Sequence, residues 1–214
     1  MENSRARIVR HFHGLNIMKK MRDGFKLLFV ISIILAIVSC ASTQPISLNL
    51  KFEKTSSKED RYEPKLAQSC VINIEAIVDN RSNKETFGVL GNAPITGDHI
   101  VDWVSQGLRD LEGYGFQISD KLLSNEKTRR KLSSKISIKR VLLHANSLRI
   151  YGTVVLMTNS WSSNNKFEER LYRGDDDRLL WYGSKEELLT VLNGSLKMAI
   201  KDIAKDFAQS CETL

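Results

Sequence analysis

The 214-residue chain carries 32 Lys+Arg against 25 Asp+Glu, with 42% hydrophobic and 27% charged residues. Seven of those bases (Arg5, Arg7, Arg10, Lys19, Lys20, Arg22, Lys26) and two of the acids (Glu2, Asp23) lie in residues 1–39, which leaves 25 bases and 23 acids, a net of +2, for the rest. That balance excludes a nucleic-acid reading built on the overall charge, since no broad basic footprint survives.

In chain order, Lys19, Lys20, Arg22 and Lys26 precede an apolar run from Leu27 to Val38, 12 residues broken by one serine. At ~1.5 Å per residue the run reaches about 18 Å, short of the ~30 Å hydrocarbon core of a bilayer. With small Ser39 next, these are the parts of a secretory signal. Leu35-Ala36-Ile37-Val38-Ser39-Cys40 resembles a bacterial lipobox, so residues 1–39 are the expected signal peptide and Cys40 the expected lipidation site. The competing reading is an uncleaved anchor with an incidental cysteine. Met18 or Met21 would open a signal of more ordinary length, so residues 1–17 are expected to precede the true start. Residues 40–45 then form a lipidated terminus and short tether, and 46–214 one periplasmic domain, large enough for one core and too small for two.

Ile46 to Phe52 alternates apolar and polar and predicts a half-buried strand. Lys54 to Gln68 is polar and charged, a loop, and Cys70 to Val78 is a second strand leading into Asp79-Asn80-Arg81. The stretch through Gly88, Gly91 and Pro94 has loop composition. Thr96 or Asp98 can cap a helix running to about Glu112, with Ile100, Val104, Leu108 and Leu111 as its apolar stripe. Gly113 and Gly115 end it, and a short strand follows at Phe116–Ile118. Lys135 to Ala145 and Leu148 to Met157 predict a hairpin turning at Asn146. The second strand puts Leu148, Ile150, Val154 and Leu156 on one face and Tyr151, Val155 and Met157 on the other. Apolar residues on both faces predict a strand covered on both sides, or covered by a partner. Lys166 to Arg173 is a polar strand near an edge. Ser184-Lys185-Glu186-Glu187 is a capping box opening a long helix with the stripe Leu189, Leu192, Leu196, Ala199/Ile200, Ile203 and Phe207. The predicted order is β-β-α-β-β-β-β-α, an α+β domain with two amphipathic helices on one mixed or antiparallel sheet.

No residue set in the sequence reads as catalytic, so no enzymatic activity and no cofactor are expected. His99 and His144 have no Cys, Asp or Glu at zinc-site spacing, and Asp175-Asp176-Asp177 lacks the alternating ligands of a calcium loop, which leaves an acidic turn. No metal is expected. If Cys40 is lipidated, Cys70 and Cys211 remain as either a disulfide pair or two buried thiols. Two places suit a partner. Asp79, Asn80 and Arg81 stand where a strand enters a glycine-bearing loop, either as a local salt-bridged loop or as a recognition loop. Lys127, Arg129, Arg130, Lys131, Lys135, Lys139 and Arg140 form a basic strip, either a solvated face or a contact for anionic headgroups, lipopolysaccharide phosphates or an acidic protein.

The lipobox, the early alternating strand, the Asp79-x-Arg81 strand exit, the Leu111 to Phe116 stretch, the hairpin and the long last helix together resemble the YajG-type lipoproteins of Gram-negative bacteria. The layout is also similar to the lipopolysaccharide-assembly lipoprotein of the outer-membrane translocon and to auxiliary lipoproteins of lipid-transport ABC systems. The Cys70/Cys211 pair, Trp161-Ser162-Ser163 and Trp181-Tyr182-Gly183 depart from that pattern. The resemblance implies a non-catalytic, lipid-anchored accessory that binds an envelope protein. The alternative is a handler of lipid or lipopolysaccharide. Ala41 in place of aspartate after Cys40 resembles the sorting signal for the outer membrane, periplasmic face.

Overall fold

The computed structural model describes residues 44–53, 70–119, 130–162 and 167–212 of the protein. The leader, Cys40, the Lys54–Gln68 segment, Lys127 and Arg129 lie outside the described residues. The chain divides into two units, Met1–Thr43 and Gln44–Leu214, and all the described residues belong to the second.

The elements are β1 (Ile46–Asn49), β2 (Cys70–Asp79), β3 (Gly88–Leu90), β4 (Ala93–Asp98), α1 (Ile100–Leu108), a 3₁₀ segment (Arg109–Tyr114), β5 (Gln117–Ser119), β6 (Arg130–Ala145), β7 (Arg149–Ser162), β8 (Phe167–Leu179) and α2 (Lys185–Glu212). All the strands join one mixed sheet, and the domain is α+β. β6 organises it. One edge of β6 pairs antiparallel with β7, which pairs antiparallel with β8. The other edge is shared between two parallel neighbours. β2 takes the first half, from Cys70 opposite Arg130 to Asp79 opposite Ile138, and β3 takes the end at Leu143 and His144. β2 carries β5 outward, while β3 carries β4 and then β1.

Three expectations need correcting. The 88–94 stretch is not a loop but a hairpin, in which Leu90 pairs with Ala93 around Gly91-Asn92. Pro94 is tolerated in β4 because the β1 ladder starts one residue later, at Ile46 opposite Ile95, so no partner needs its missing N–H on that side. Neither Thr96 nor Asp98 caps α1. Both are held in the β1–β4 ladder, and His99 takes the cap position with φ 58° and no side-chain cap bond. Asp175-Asp176-Asp177 is not a turn but part of β8, opposite Thr153, Gly152 and Tyr151. β8 is an edge strand, as expected, and runs on to Leu179.

Both helices lie on one face of the sheet. The predicted stripes are buried except for Leu189, which is half-buried while Leu188 beside it is fully buried, and Trp103 joins them with its ring fully enclosed. Its Nε1 donates to Asn193 Oδ1 at 2.8 Å, and Asn193 Nδ2 donates to Lys51 O at 3.1 Å, which ties α1, α2 and the exit of β1. The capping box at the start of α2 is formed reciprocally. The Glu187 N–H donates to Ser184 Oγ at 3.2 Å and the Ser184 N–H to Glu187 Oε2 at 3.1 Å, a device that contributes about 1 kcal/mol. At its other end, Cys211 is disulfide-bonded to Cys70 with Cα atoms 6.1 Å apart, closing 141 residues of chain. In the chain-entropy picture a loop of that length is worth about 5 kcal/mol.

The middle of α2 comes unusually close to the sheet. A Cβ added to Gly174 of β8 would lie 1.9 Å from Ser195 O and 2.5 Å from Ala199 N, and one on Gly152 of β7 would meet Ser195 Oγ at 2.6 Å. Gly174→Ala must push a helix backbone off its sheet and is expected to cost about 3 kcal/mol, the upper end for overpacking, measured by urea unfolding. Gly91→Ala is the contrast. Gly91 has φ +60° with nothing within 4 Å of an added Cβ, so only the left-handed backbone penalty of about 1 kcal/mol applies.

Candidate functional site

Asp79-Asn80-Arg81 sits where β6 changes neighbour. The Asn80 N–H makes the last bond of β2 to Ile138 O (3.0 Å), and the Leu143 N–H opens the β3 side by donating to Phe87 O (2.6 Å). The chain between loops out, and Arg81 closes that loop. Its Nε and Nη2 donate to Asp79 Oδ1 and Oδ2, each at 2.9 Å, Nη2 also reaches Lys84 O at 3.3 Å, and the guanidinium lies 5.1 Å over the Phe87 ring. The Arg81 side chain is 4% exposed, so its charge faces inward and offers no surface to a partner. Asn80 is exposed at the fork and donates to Ser137 Oγ.

Hydrogen bonding from the Arg81 side chain holds the Asp79 carboxyl below its ordinary value of 3.8. A depressed carboxylate adds stability that is complete above the unfolded pKa and is lost as pH falls through the folded one. Asp79→Asn is expected to destabilise by about 3 kcal/mol at neutral pH, because it leaves a buried guanidinium without its counter-charge. The difference from the unsubstituted chain should shrink below pH 3.8. Asp79→Leu combined with Arg81→Met should cost less than Asp79→Asn alone, as denaturation at pH 7 and pH 3 would read out.

Of the basic strip, Arg130 is half-buried, and its Nη1 donates to Cys211 O at 2.7 Å, a cation on the carbonyl end of α2. Lys131 stands next to it on β6. Lys135 lies 5.6 Å over the Trp161 ring. The described members of the strip are spread along β6.

The face of β6, β7 and β8 opposite the helices carries a mixed surface, and no other element covers it among the described residues. β7 is therefore central in the sheet, and among the described residues a helix covers it on one side only, so of the two expectations, cover on both sides or by a partner, the first is not met there. Leu148 also leaves the buried row, because β7 begins at Arg149 and Leu148 stays in the turn. On the bare face the register lines up Val78, Ser137, Met157 and Leu171 across four strands. Val78 and Leu171 are 47% and 65% exposed. Arg140, Val155 and Arg173 form the next row, then Leu142, Thr153 and Asp175. Arg173 Nε donates to Asp175 Oδ2 at 2.8 Å, and this hydrogen bond lowers the Asp175 pKa. Nothing in the sequence analysis picks out Val78 or Leu171, because the row exists only through the cross-strand register.

Two smaller features lie on the helix side. A groove of about 250 Å³ between β2, β5 and α1 has Ile74, Ile77, Val101 and Ile118 as its apolar lining, with Glu75 and Asp102 at its rim. Under the last turns of α2, Arg170 bonds Glu168 and Asp206, and burial pushes the Tyr172 phenol up. Among the described residues no three His, Cys, Asp or Glu side chains gather as metal ligands.

No protein-family model matches the chain, and no curated protein matches it. Solved structures show distant similarity. A DUF330-family protein from Xanthomonas campestris is 10% identical at TM-score 0.48, over 80% of this chain and 97% of that one. A hypothetical protein from Chlamydia trachomatis is 9% identical at 0.42, over 68% and 99%. A minor lipoprotein from Acinetobacter baumannii is 12% identical at 0.36, over 69% and 93%. At those values none of them bears on what this chain does.

Proposed function

We propose that the protein is a non-catalytic, lipid-anchored component of the bacterial cell envelope. In this reading Cys40 holds it on the periplasmic face of the outer membrane, and the bare face of β6–β8 binds an envelope protein. The observation that carries the binding half is the row Val78–Ser137–Met157–Leu171, three apolar side chains and one serine, with the Arg173–Asp175 ion pair beside it, an apolar patch with a polar edge as in a protein interface. The lipobox and the resemblance to YajG-type lipoproteins support the anchored half.

The test is photo-crosslinking in cells from a reactive side chain placed at Leu171 in the full chain, with exposed Gln209 on α2 as the control position. A discrete adduct from position 171 that is absent from position 209 is expected. No adduct, or the same ones from both positions, overturns the reading. Handling of a lipid or lipopolysaccharide is second, favoured by the groove beside β2, where apolar side chains stand with Arg109. A bound lipid on protein extracted from membranes, beyond any on Cys40, would raise it above the first.

A further inference from the structure

Register brings the entry of the chain into the domain and the most exposed apolar side chains to one end of the sheet. Ile46 pairs with Ile95, Ile95 with Gly88 and Gly88 with Leu143. Gln44, two residues before Ile46, therefore stands level with the β3–β4 turn and the β6–β7 turn. The end of β8 arrives at the same place. The Leu180 N–H donates to Leu148 O at 2.8 Å, and an added Cβ on Gly183 would lie 2.9 Å from Leu90 Cδ2. Leu148, Trp181 and Tyr182, at 71%, 73% and 93%, are the most exposed large apolar side chains among the described residues, and Leu179 at 51% lies beside them.

We propose that this tip is a membrane-interface contact, with Leu148, Leu179, Trp181 and Tyr182 resting among the headgroups of the leaflet that holds the chain. The inference rests on anchoring at Cys40. Gln44 is four residue steps on from Cys40, and at ~3.5 Å each they reach about 14 Å. β6 alone runs 16 residues, roughly 50 Å. A tether that short keeps the Gln44 end at the bilayer and holds Arg130 and Lys131, at the start of β6, far from it. Tryptophan and tyrosine pair an apolar ring with a polar tip, the make-up enriched at membrane–water interfaces. The arginines near the tip are already engaged, Arg149 with Asp177 and Arg178 with Asp176. The contact is thus apolar rather than electrostatic and does not require anionic lipid.

The test uses full chain purified from membranes and reconstituted into vesicles of brominated phosphatidylcholine, whose bromines quench tryptophan near the bilayer. The chain has three tryptophans. Trp103 is fully enclosed, and Trp161 lies on β7 near the far end, opposite Ser133. The expected result is quenching that Trp181→Phe abolishes and Trp161→Phe leaves intact, with thermal midpoints unchanged. Protein that floats with the vesicles but is not quenched, or whose quenching follows Trp161, overturns the tip and leaves the anchor standing. Protein that does not float with the vesicles overturns both. Trp181 emission that shifts with protein concentration in the absence of lipid assigns the tip to a second copy and overturns the proposal.

Discussion

The fold depends on how closely α2 can lie on the sheet. At the middle of the helix a single carbon added to Gly174 would collide with the backbone of Ser195 and Ala199, and one added to Gly152 with the side chains of Ser195 and Val191. Small residues at the contact let the larger ones on either side, Leu188, Leu192 and Leu196 toward one end and Ile203 and Phe207 toward the other, sink fully into the core. Packing at close-packed density leaves little slack for a spacer there. The capping box and the disulfide hold the two ends of the same helix, so all three devices act to keep one long element seated.

The second constraint is the fork at Asp79 and Arg81. A single strand, β6, serves two neighbours in turn, which requires β2 to leave and β3 to arrive within a few residues. A buried ion pair is a poor source of net stability, and this one leaves Arg81 Nη1 buried without a hydrogen-bond partner while Nε and Nη2 grip the Asp79 carboxylate. Here it fixes where the sheet divides. That division in turn decides which side chains of β2 share a row with β6, β7 and β8 on the bare face.

Much of the architecture was legible in the sequence. Period-2 and period-3.6 patterns locate β1, β2, the β6–β7 hairpin and both helices, because each of those elements buries a single face. The β3–β4 hairpin is hidden, since its three- and six-residue strands contain proline and glycine and exist only because β1 and β6 flank them. β8 is undercounted for a different reason. An edge strand can carry Arg173, Asp175 and Asp177 in a row when each charge has an ionic neighbour, and that pattern reads as a turn. The tripeptide at residues 79–81 stands out in the chain, but its inward orientation follows from the fork, which no local pattern encodes. Trp181 and Tyr182 attract notice only as departures from a family pattern, because their setting depends on which strand ends meet there.

The Cys70–Cys211 bond has a consequence for the order of events in making the protein. Cys70 is exposed to oxidation 141 residues before its partner exists, so the bond can close only after the last turn of α2 has been made and delivered. During that interval the nearest other thiol is Cys40, 30 residues away and much easier to reach by loop closure. In the proposed lipoprotein, acquisition of the diacylglyceryl thioether removes that thiol from competition. The modification that anchors the chain would then also leave Cys70 with a single possible partner, making correct oxidation a result of completing the helix.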